Sequence, residues 1–312
     1  MTALRMATRG SKLALAQSAT VAARISELTG RAVETVVITT RGDTDVSVPI
    51  ENLGTDGVFV VGVRQALLDH AAHFAVHSLK DLPTSNFPGI RLAATPPRSE
   101  PGDALVARHD MTLKMLPAGA RVGTGSNRRV GMLRALRPDL DVVAIRGNVD
   151  TRLRLVAEGS LDAVILAAAG LCRLDLLSKA TELLDPTSFV PAPGQGALAV
   201  ECREDETDAD LLAALRELDD PATRAATTAE RAILAALHAG CNAPVGAYAV
   251  CSEPGFWEPE IHLRAVVVDP AGAVVLSESA AGPVADADAL GRKVAAQLSA
   301  AGASALLGEP VA

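Results

Sequence analysis

The sequence predicts an α/β protein of two lobes joined by a double crossover, followed by a C-terminal α+β domain. Three observations predict it. Over roughly the first two-thirds of the chain, short β-branched or apolar runs alternate with segments of helical period, the pattern of sheets layered with helices. Pro- and Gly-rich breaks interrupt that alternation at Thr95–Gly102 (TPPRSEPG) and Val190–Gly196 (VPAPGQG), as crossover linkers would. The C-terminal third then changes to strands that follow one another without intervening helices.

The elements follow in order. Leu4–Thr8 reads as a strand and Leu13–Leu28 as a helix with Ser11 as N-cap. Val33–Thr40 is β-branched and reads as a buried strand. Val58–Asp69 is helical and Phe74–His77 a strand. The pattern restarts with strand Arg121–Gly123, helix Ser126–Leu136, strand Asp141–Ile145, helix Val149–Ala157 capped by Asn148, and strand Ala163–Leu166. Connections of this length imply parallel sheets with helices on both faces. Asp208–Glu217 and Thr223–Leu237 read as helices, Val245–Val250, Ile261–Val268 and Val274–Ser279 as antiparallel strands, and Ala285–Ala300 as a last helix. The expected division is 1–96 with 197–217 as one lobe, 102–190 as the other, and 220–312 as the C-terminal domain.

The chain has 312 residues, a net charge of -8 and only 2% aromatic residues. Its core must therefore be aliphatic, and an acidic surface argues against a nucleic-acid partner. The N-terminal segment MTALRMATRGSKLALAQS lacks a long apolar stretch, so the expected setting is the cytoplasm, without membrane association. Cys172, Cys202, Cys241 and Cys251 show no C-x-x-C spacing. His70, His73 and His77 have no second cluster to complete a ligand set, so no metal is expected.

Four motifs carry chemistry. His77-Ser78-Leu79-Lys80-Asp81-Leu82-Pro83 follows a strand, at the end where open α/β sheets bind ligands. There Asp81 can act as a general acid or stabilise a cation. Val122-Gly123-Thr124-Gly125-Ser126-Asn127-Arg128-Arg129 is a strand, a Gly-rich turn and a helix start, an arrangement suited to anions. Arg128 and Arg129 oppose the helix dipole there, which an anionic ligand would explain. Arg146-Gly147-Asn148-Val149-Asp150-Thr151-Arg152 and Arg9-Gly10-Ser11 repeat the form. In an acidic protein, Arg9, Lys80, Arg128, Arg129, Arg146 and Arg152 should converge on one cleft. Guanidinium forks match carboxylates, so a small ligand with several carboxylates or phosphates is implied. Finally, Cys241 in Gly240-Cys241-Asn242-Ala243-Pro244 sits in a turn, either as a small hydrophobe or as a covalent attachment point.

Together, ATRGSKLALAQ, HSLKDLP, VGTGSNRR, RGNVDTRL, PAPGQGALAVE and GCNAPVGAYA resemble the hydroxymethylbilane synthase (porphobilinogen deaminase) family, in that family's order and over most of the chain. The resemblance implies two periplasmic-binding-protein-like lobes and a C-terminal domain carrying a dipyrromethane cofactor on Cys241. It implies a transferase that joins four porphobilinogen molecules head to tail with loss of ammonia and releases hydroxymethylbilane by hydrolysis, working as a monomer. Asp81 and Lys80 would be catalytic. Lys80, Thr124, Ser126, Arg128 and Arg129 would bind the cofactor. Arg9, Ser11, Arg146, Arg152, Arg173, Phe59 and Gln195 would bind substrate. The loop Glu51–Gly57 departs from the family, since many members have lysines in this loop and Asn52 and Asp56 do not supply that charge. The competing reading is a non-catalytic binding protein for a polycarboxylate, because two lobes with a double crossover serve that purpose too.

Overall fold

The computed structural model describes residues 2–39, 60–240, 242–252 and 259–307. The chain divides into two compact units, residues 1–98 with 197–224 and residues 99–196 with 225–312.

The first unit opens with strand β1 (Leu4–Arg9) and helix α1 (Lys12–Thr29). Ser11 caps α1 as expected, its Oγ accepting from the Ala14 N–H at 3.2 Å. The helix stops at Gly30, whose φ of 66° is left-handed backbone that glycine adopts without steric cost. There follow β2 (Val33–Ile38), α2 (Val61–Leu68), β3 (Phe74–Ser78), a single 3₁₀ turn over Leu79–Asp81, and β4 (Ile90–Ala94).

In the second unit β5 (Asp103–Ala107) precedes the βα pairs β6 (Arg121–Thr124), α3 (Asn127–Leu136), β7 (Asp141–Ala144) and α4 (Val149–Ala157). Next come β8 (Ala163–Ala167), α5 (Ala168–Arg173) and β9 (Glu182–Leu184). The chain then supplies the first unit with β10 (Leu198–Arg203) and α6 (Ala209–Leu218). Helix α7 (Pro221–Ala236) contains the boundary between the units. The C-terminal sheet β11 (Val245–Cys251), β12 (Glu260–Val268) and β13 (Val275–Pro283) follows, with helices α8 (Ala287–Ala300) and α9 (Ala303–Leu307).

The two large sheets have matching plans. The first is ordered β2-β1-β3-β10-β4 and the second β7-β6-β8-β5-β9. In each, three strands are parallel and the fourth runs antiparallel to both its neighbours. The sheets are thus mixed, not purely parallel as expected. The reversed strands, β10 and β5, are the ones that directly follow the two Pro-rich breaks, so each crossover delivers one strand in the opposite sense. A second correction concerns β2. Among the described residues it pairs only with β1, at the sheet edge, and its residues are half-buried or exposed. A β-branched run reports strand propensity, not depth.

Aliphatic side chains fill the interior, as the scarcity of aromatics requires. In the first unit Leu4, Met6, Val21, Ile25, Phe74 and Leu215 pack between the sheet and helices α1 and α6. In the second unit Val122, Met132, Leu133 and Ile165 pack together with Val266 and Val268 of β12. Gly131 permits this. A Cβ there would lie 2.7 Å from the Asp269 carbonyl oxygen and 2.8 Å from Val268. The C-terminal sheet packs its own core on α7 and α8 through Ile233, Leu263, Val294 and Leu298.

Candidate functional site

In the first unit β1 and β3 are parallel neighbours, so their C-terminal ends reach the same sheet edge. Arg9 ends β1 and Ser78 ends β3. The turn bearing Lys80 and Asp81 is then held by backbone bonds. Leu79 N–H donates to the Ala197 carbonyl at 3.0 Å, and Leu82 N–H closes the turn on Leu79 at 3.1 Å. The Ser78 hydroxyl exchanges hydrogen bonds with the buried Gln17 amide of α1, at 3.1 and 3.2 Å. A recess at this edge is lined by Arg9, Ser11, Gln17, His77, Ser78 and Asp81. Of the residues expected at the site, this unit thus gathers Arg9, Ser11 and Asp81, with Lys80 half-buried on the same turn.

In the second unit β6 is flanked by parallel β7 and β8. The turns after them carry Thr124 and Ser126, Arg146, and the helix that ends at Arg173. Ser126 caps α3, its Oγ accepting from the Arg129 N–H at 3.5 Å, and the Ser126 N–H donates to Thr124 Oγ1 at 3.3 Å. Asn148 caps α4 as expected, accepting from the Thr151 N–H at 2.9 Å. A Cβ at Gly125 would lie 2.6 Å from the Ile145 carbonyl oxygen and 3.7 Å from an Arg152 nitrogen. The bare backbone of the turn is what allows β6 and the start of α4 to approach.

Arg128 and Arg129 point inward onto a single carboxylate, Asp103 at the start of β5, which is fully buried. Arg128 donates to Asp103 at 2.8 Å and to the Val190 carbonyl at 2.7 Å, with its guanidinium 5.8 Å from the Phe189 ring centre. Arg129 donates to Asp103 at 2.7 and 3.1 Å and to the Ile165 carbonyl at 3.1 Å. Gln195 donates to Asp103 at 2.9 Å and to the carbonyls of Pro101 and Gly102 at 2.9 and 3.1 Å. Burial opposes ionisation of Asp103, but the two guanidiniums and these hydrogen bonds outweigh it and hold the carboxyl well below the ordinary range. An internal anion thus accounts for the cations that oppose the α3 dipole. The Gln195 side chain ties the second crossover to the first, a use that Gly-rich turn chemistry alone does not suggest.

Among the described residues one carboxylate does not balance the cations. Arg128 is 2% exposed and its Nε has no hydrogen-bond partner among the described residues. Burial, with repulsion from Arg129, pushes Arg152 down to about 10. Burial likewise lowers Arg173. The contacts found for these two are carbonyls, Gly147 for Arg152 at 2.8 Å and Gly196 for Arg173 at 2.7 Å. A surplus of partly desolvated guanidiniums is a receptor for carboxylates.

Phe59, Cys241 and the loop 51–57 lie outside the described residues. The turn after Cys241 is described, and the Asn127 amide donates to the Asn242 carbonyl at 3.2 Å. Sequence reasoning missed Asp103, Gln17 and Glu201. The last had a signal: a lone acid within the apolar strand Leu198–Arg203 needs a buried partner.

Residues 4–210 match the family model of the porphobilinogen deaminase dipyrromethane cofactor-binding domain, and residues 225–300 that of the porphobilinogen deaminase C-terminal domain. The chain belongs to the porphobilinogen deaminase family. It is 51% identical over 315 residues to porphobilinogen deaminase 1 of Streptomyces coelicolor, covering 98% of each chain. It is 50% identical to the porphobilinogen deaminase of Acidothermus cellulolyticus, covering 99% of this chain and 92% of that one. Among solved structures, a periplasmic substrate-binding protein of an ABC transporter from Coxiella burnetii is similar at a TM-score of 0.42 and 15% identity, over 71% of this chain and 94% of that one. Among the described residues no helix is long and apolar enough to cross a membrane.

Proposed function

We propose that the chain joins four porphobilinogen molecules head to tail, with loss of ammonia, on a dipyrromethane held through Cys241, and releases hydroxymethylbilane by hydrolysis. The observation that carries the reading is the imbalance of charge in the second unit. Asp103 stands against Arg128, Arg129, Arg152 and Arg173, and the ligand that this imbalance fits is a polycarboxylate. A dipyrromethane with its acetate and propionate groups is such a ligand. When bound it supplies the nucleophilic pyrrole carbon on which the product grows. Arg128, Arg129, Thr124, Ser126 and Lys80 would hold it. Arg9, Ser11, Arg146, Arg152, Arg173, Phe59 and Gln195 would serve the incoming substrate.

Asp81 does the acid–base work. It gives a proton to the departing amine, lies as an anion beside the substrate cation that remains, and takes the ring proton after coupling. Lys80 assists on the same turn. We infer a cytoplasmic monomer with porphobilinogen as its partner and with neither nucleic acid nor membrane. We also keep the three-domain division 1–96 with 197–217, 102–190 and 220–312.

Two measurements test the reading. The intact mass of the denatured protein should exceed the sequence mass by two substituted pyrrole rings, and Cys241→Ser should abolish the excess. A wild type that gains no mass even after incubation with porphobilinogen would overturn the attachment. Asp81→Asn should keep the fold and the adduct yet lose on the order of 10²-fold or more in turnover. Normal turnover would remove Asp81 from the reaction.

A further inference from the structure

Beneath the turn that carries Lys80 and Asp81 lies a charged triad that the reaction as described does not use. Glu201 on β10 is 3% exposed, Arg64 on α2 and His77 on β3 6% each. Arg64 grips the Glu201 carboxylate with both arms of its fork, Nε donating at 2.9 Å and an Nη at 2.6 Å. His77 Nε2 lies 3.3 Å from the same carboxylate. In the antiparallel pairing Ala199 faces His77 and Glu201 faces Ala75. Glu201 and His77 are therefore diagonal neighbours on one face of the sheet. Arg64 is fixed from its other side by Phe87, with the ring centre 5.0 Å away. Burial raises the Glu201 carboxyl, but the Arg64 fork and the neighbouring His77 prevail and hold it at about 2.

The surroundings are apolar: Val63, Leu67, Ala75, Leu79 and Ala199 are all buried. In such a place an ion pair gains little stability over aliphatic packing of equal volume, because desolvation offsets the attraction. Its distinctive property is direction. Apolar surfaces tolerate small slides, whereas a two-armed fork on a carboxylate has one good geometry. That geometry fixes α2 to β10, and His77, with only Ser78 between it and the turn, brings β3 against the same carboxylate. His77 belongs to both regions, touching Glu201 below and lining the recess with Asp81 above.

We propose that Arg64, Glu201 and His77 are positioning residues for Asp81, setting where the end of β3 lies and hence where the Asp81 carboxylate meets the substrate amine. The inference rests on the reading that Asp81 is the catalytic acid. Two variants of the full chain test it. Glu201→Gln keeps the shape and removes the charge. Arg64→Met combined with Glu201→Leu replaces the pair by apolar groups of similar volume, and should retain or raise the melting temperature. In both, kcat should fall at least about tenfold, since a small misplacement of a reacting group is enough. KM should move less than about twofold. In an Asp81→Asn background the same substitutions should cost nothing further, because the group they position is gone.

Wild-type kcat in a folded double variant would overturn the proposal and leave Asp81 untouched. So would additive losses in the Asp81→Asn background. If neither variant folds, the triad is structural and the proposal fails. Normal turnover of Asp81→Asn alone would instead overturn the catalytic reading, a result separable from the others.

Discussion

Each lobe buries one carboxylate on the strand that a crossover delivers, and the two differ in what surrounds it. In the first, Glu201 on β10 meets Arg64 and His77. In the second, Asp103 on β5 meets Arg128 and Arg129. The shared part teaches why a reversed strand is useful: it brings an acid from a distant stretch of sequence under the ends of the parallel strands, where the functional turns begin. The difference lies in balance. The first cluster sets one guanidinium against one carboxylate, with the His77 imidazole beside them. The second sets two guanidiniums, which do not deprotonate, against one carboxylate and keeps a positive surplus. One arrangement holds a turn in place, and the other is ready for an anion.

The comparison is broken most directly by removing each acid in turn. Asp103→Asn leaves two buried guanidiniums without a counter-ion, and the expected loss is about 3–5 kcal/mol of stability. Glu201→Gln should lose less, because one guanidinium rather than two then loses its carboxylate. Denaturant midpoints at pH 7 decide it. Equal losses would mean that the two clusters are equivalent and that charge surplus is not what separates the lobes.

Helix packing sharpens the same contrast. Gly131 in α3 faces backbone, with the Asp269 carbonyl oxygen 2.7 Å from its Cβ position. Gly131→Ala should therefore destabilise by roughly 1–3 kcal/mol. Gly62 in α2 faces, among the described residues, only the Ile38 methyl at 3.3 Å, which can move. There the better helix propensity of alanine, up to about 1 kcal/mol, should leave Gly62→Ala neutral or slightly stabilised. A costly Gly62→Ala would show that the first lobe is packed as tightly at this helix as the second.

Acid titrates the comparison more gently. Glu201 has a folded value of about 2 against an ordinary 4.5. Its contribution is complete above 4.5 and is lost as pH falls through 2. Asp103 is likewise held well below the ordinary carboxylate range. Amide-exchange protection in β3, β10, β5 and β8 should therefore persist as pH falls through the ordinary carboxylate range and be lost only in stronger acid. Loss of protection in either sheet near the ordinary 4.5 would contradict the strength of that sheet's buried pair.

Much of this was legible in the sequence, and the illegible part has a common cause. The caps Ser11 and Asn148 are local signals, and both mark their helices to within a residue. The strand-turn-helix motifs place Arg9, Asp81 and Ser126 at strand ends because that grammar spans only a few residues. Nothing local encodes the sense of β5 and β10. Side-chain alternation is the same in a parallel and an antiparallel strand, so the expectation of purely parallel sheets failed there. Nor does any local pattern join Asp103 to Arg129, 26 residues on, or Arg64 to Glu201, 137 residues on. That Arg128 and Arg129 share the buried counter-ion Asp103 was illegible for that reason, since it lies in another element.

The smallest effect tests the opposite end of the first sheet, where no functional turn lies. His73 Nδ1 accepts the Arg5 N–H at 2.9 Å, joining the start of β1 to the residue before β3. Burial, and then the Arg5 charge, lower its pKa below the ordinary 6.5. The folded state therefore prefers neutral imidazole. Its contribution is present above 6.5 and fades as pH drops below that value, because a protonated Nδ1 cannot accept the bond. The wild-type melting temperature should fall between pH 7 and 5.5 more steeply than that of His73→Asn, whose side chain does not titrate. Identical slopes would mean that His73 keeps its proton balance on folding. A kcat that followed the same slope would extend the influence of this edge to the Asp81 turn, which the triad at Glu201 is positioned to hold independently of it.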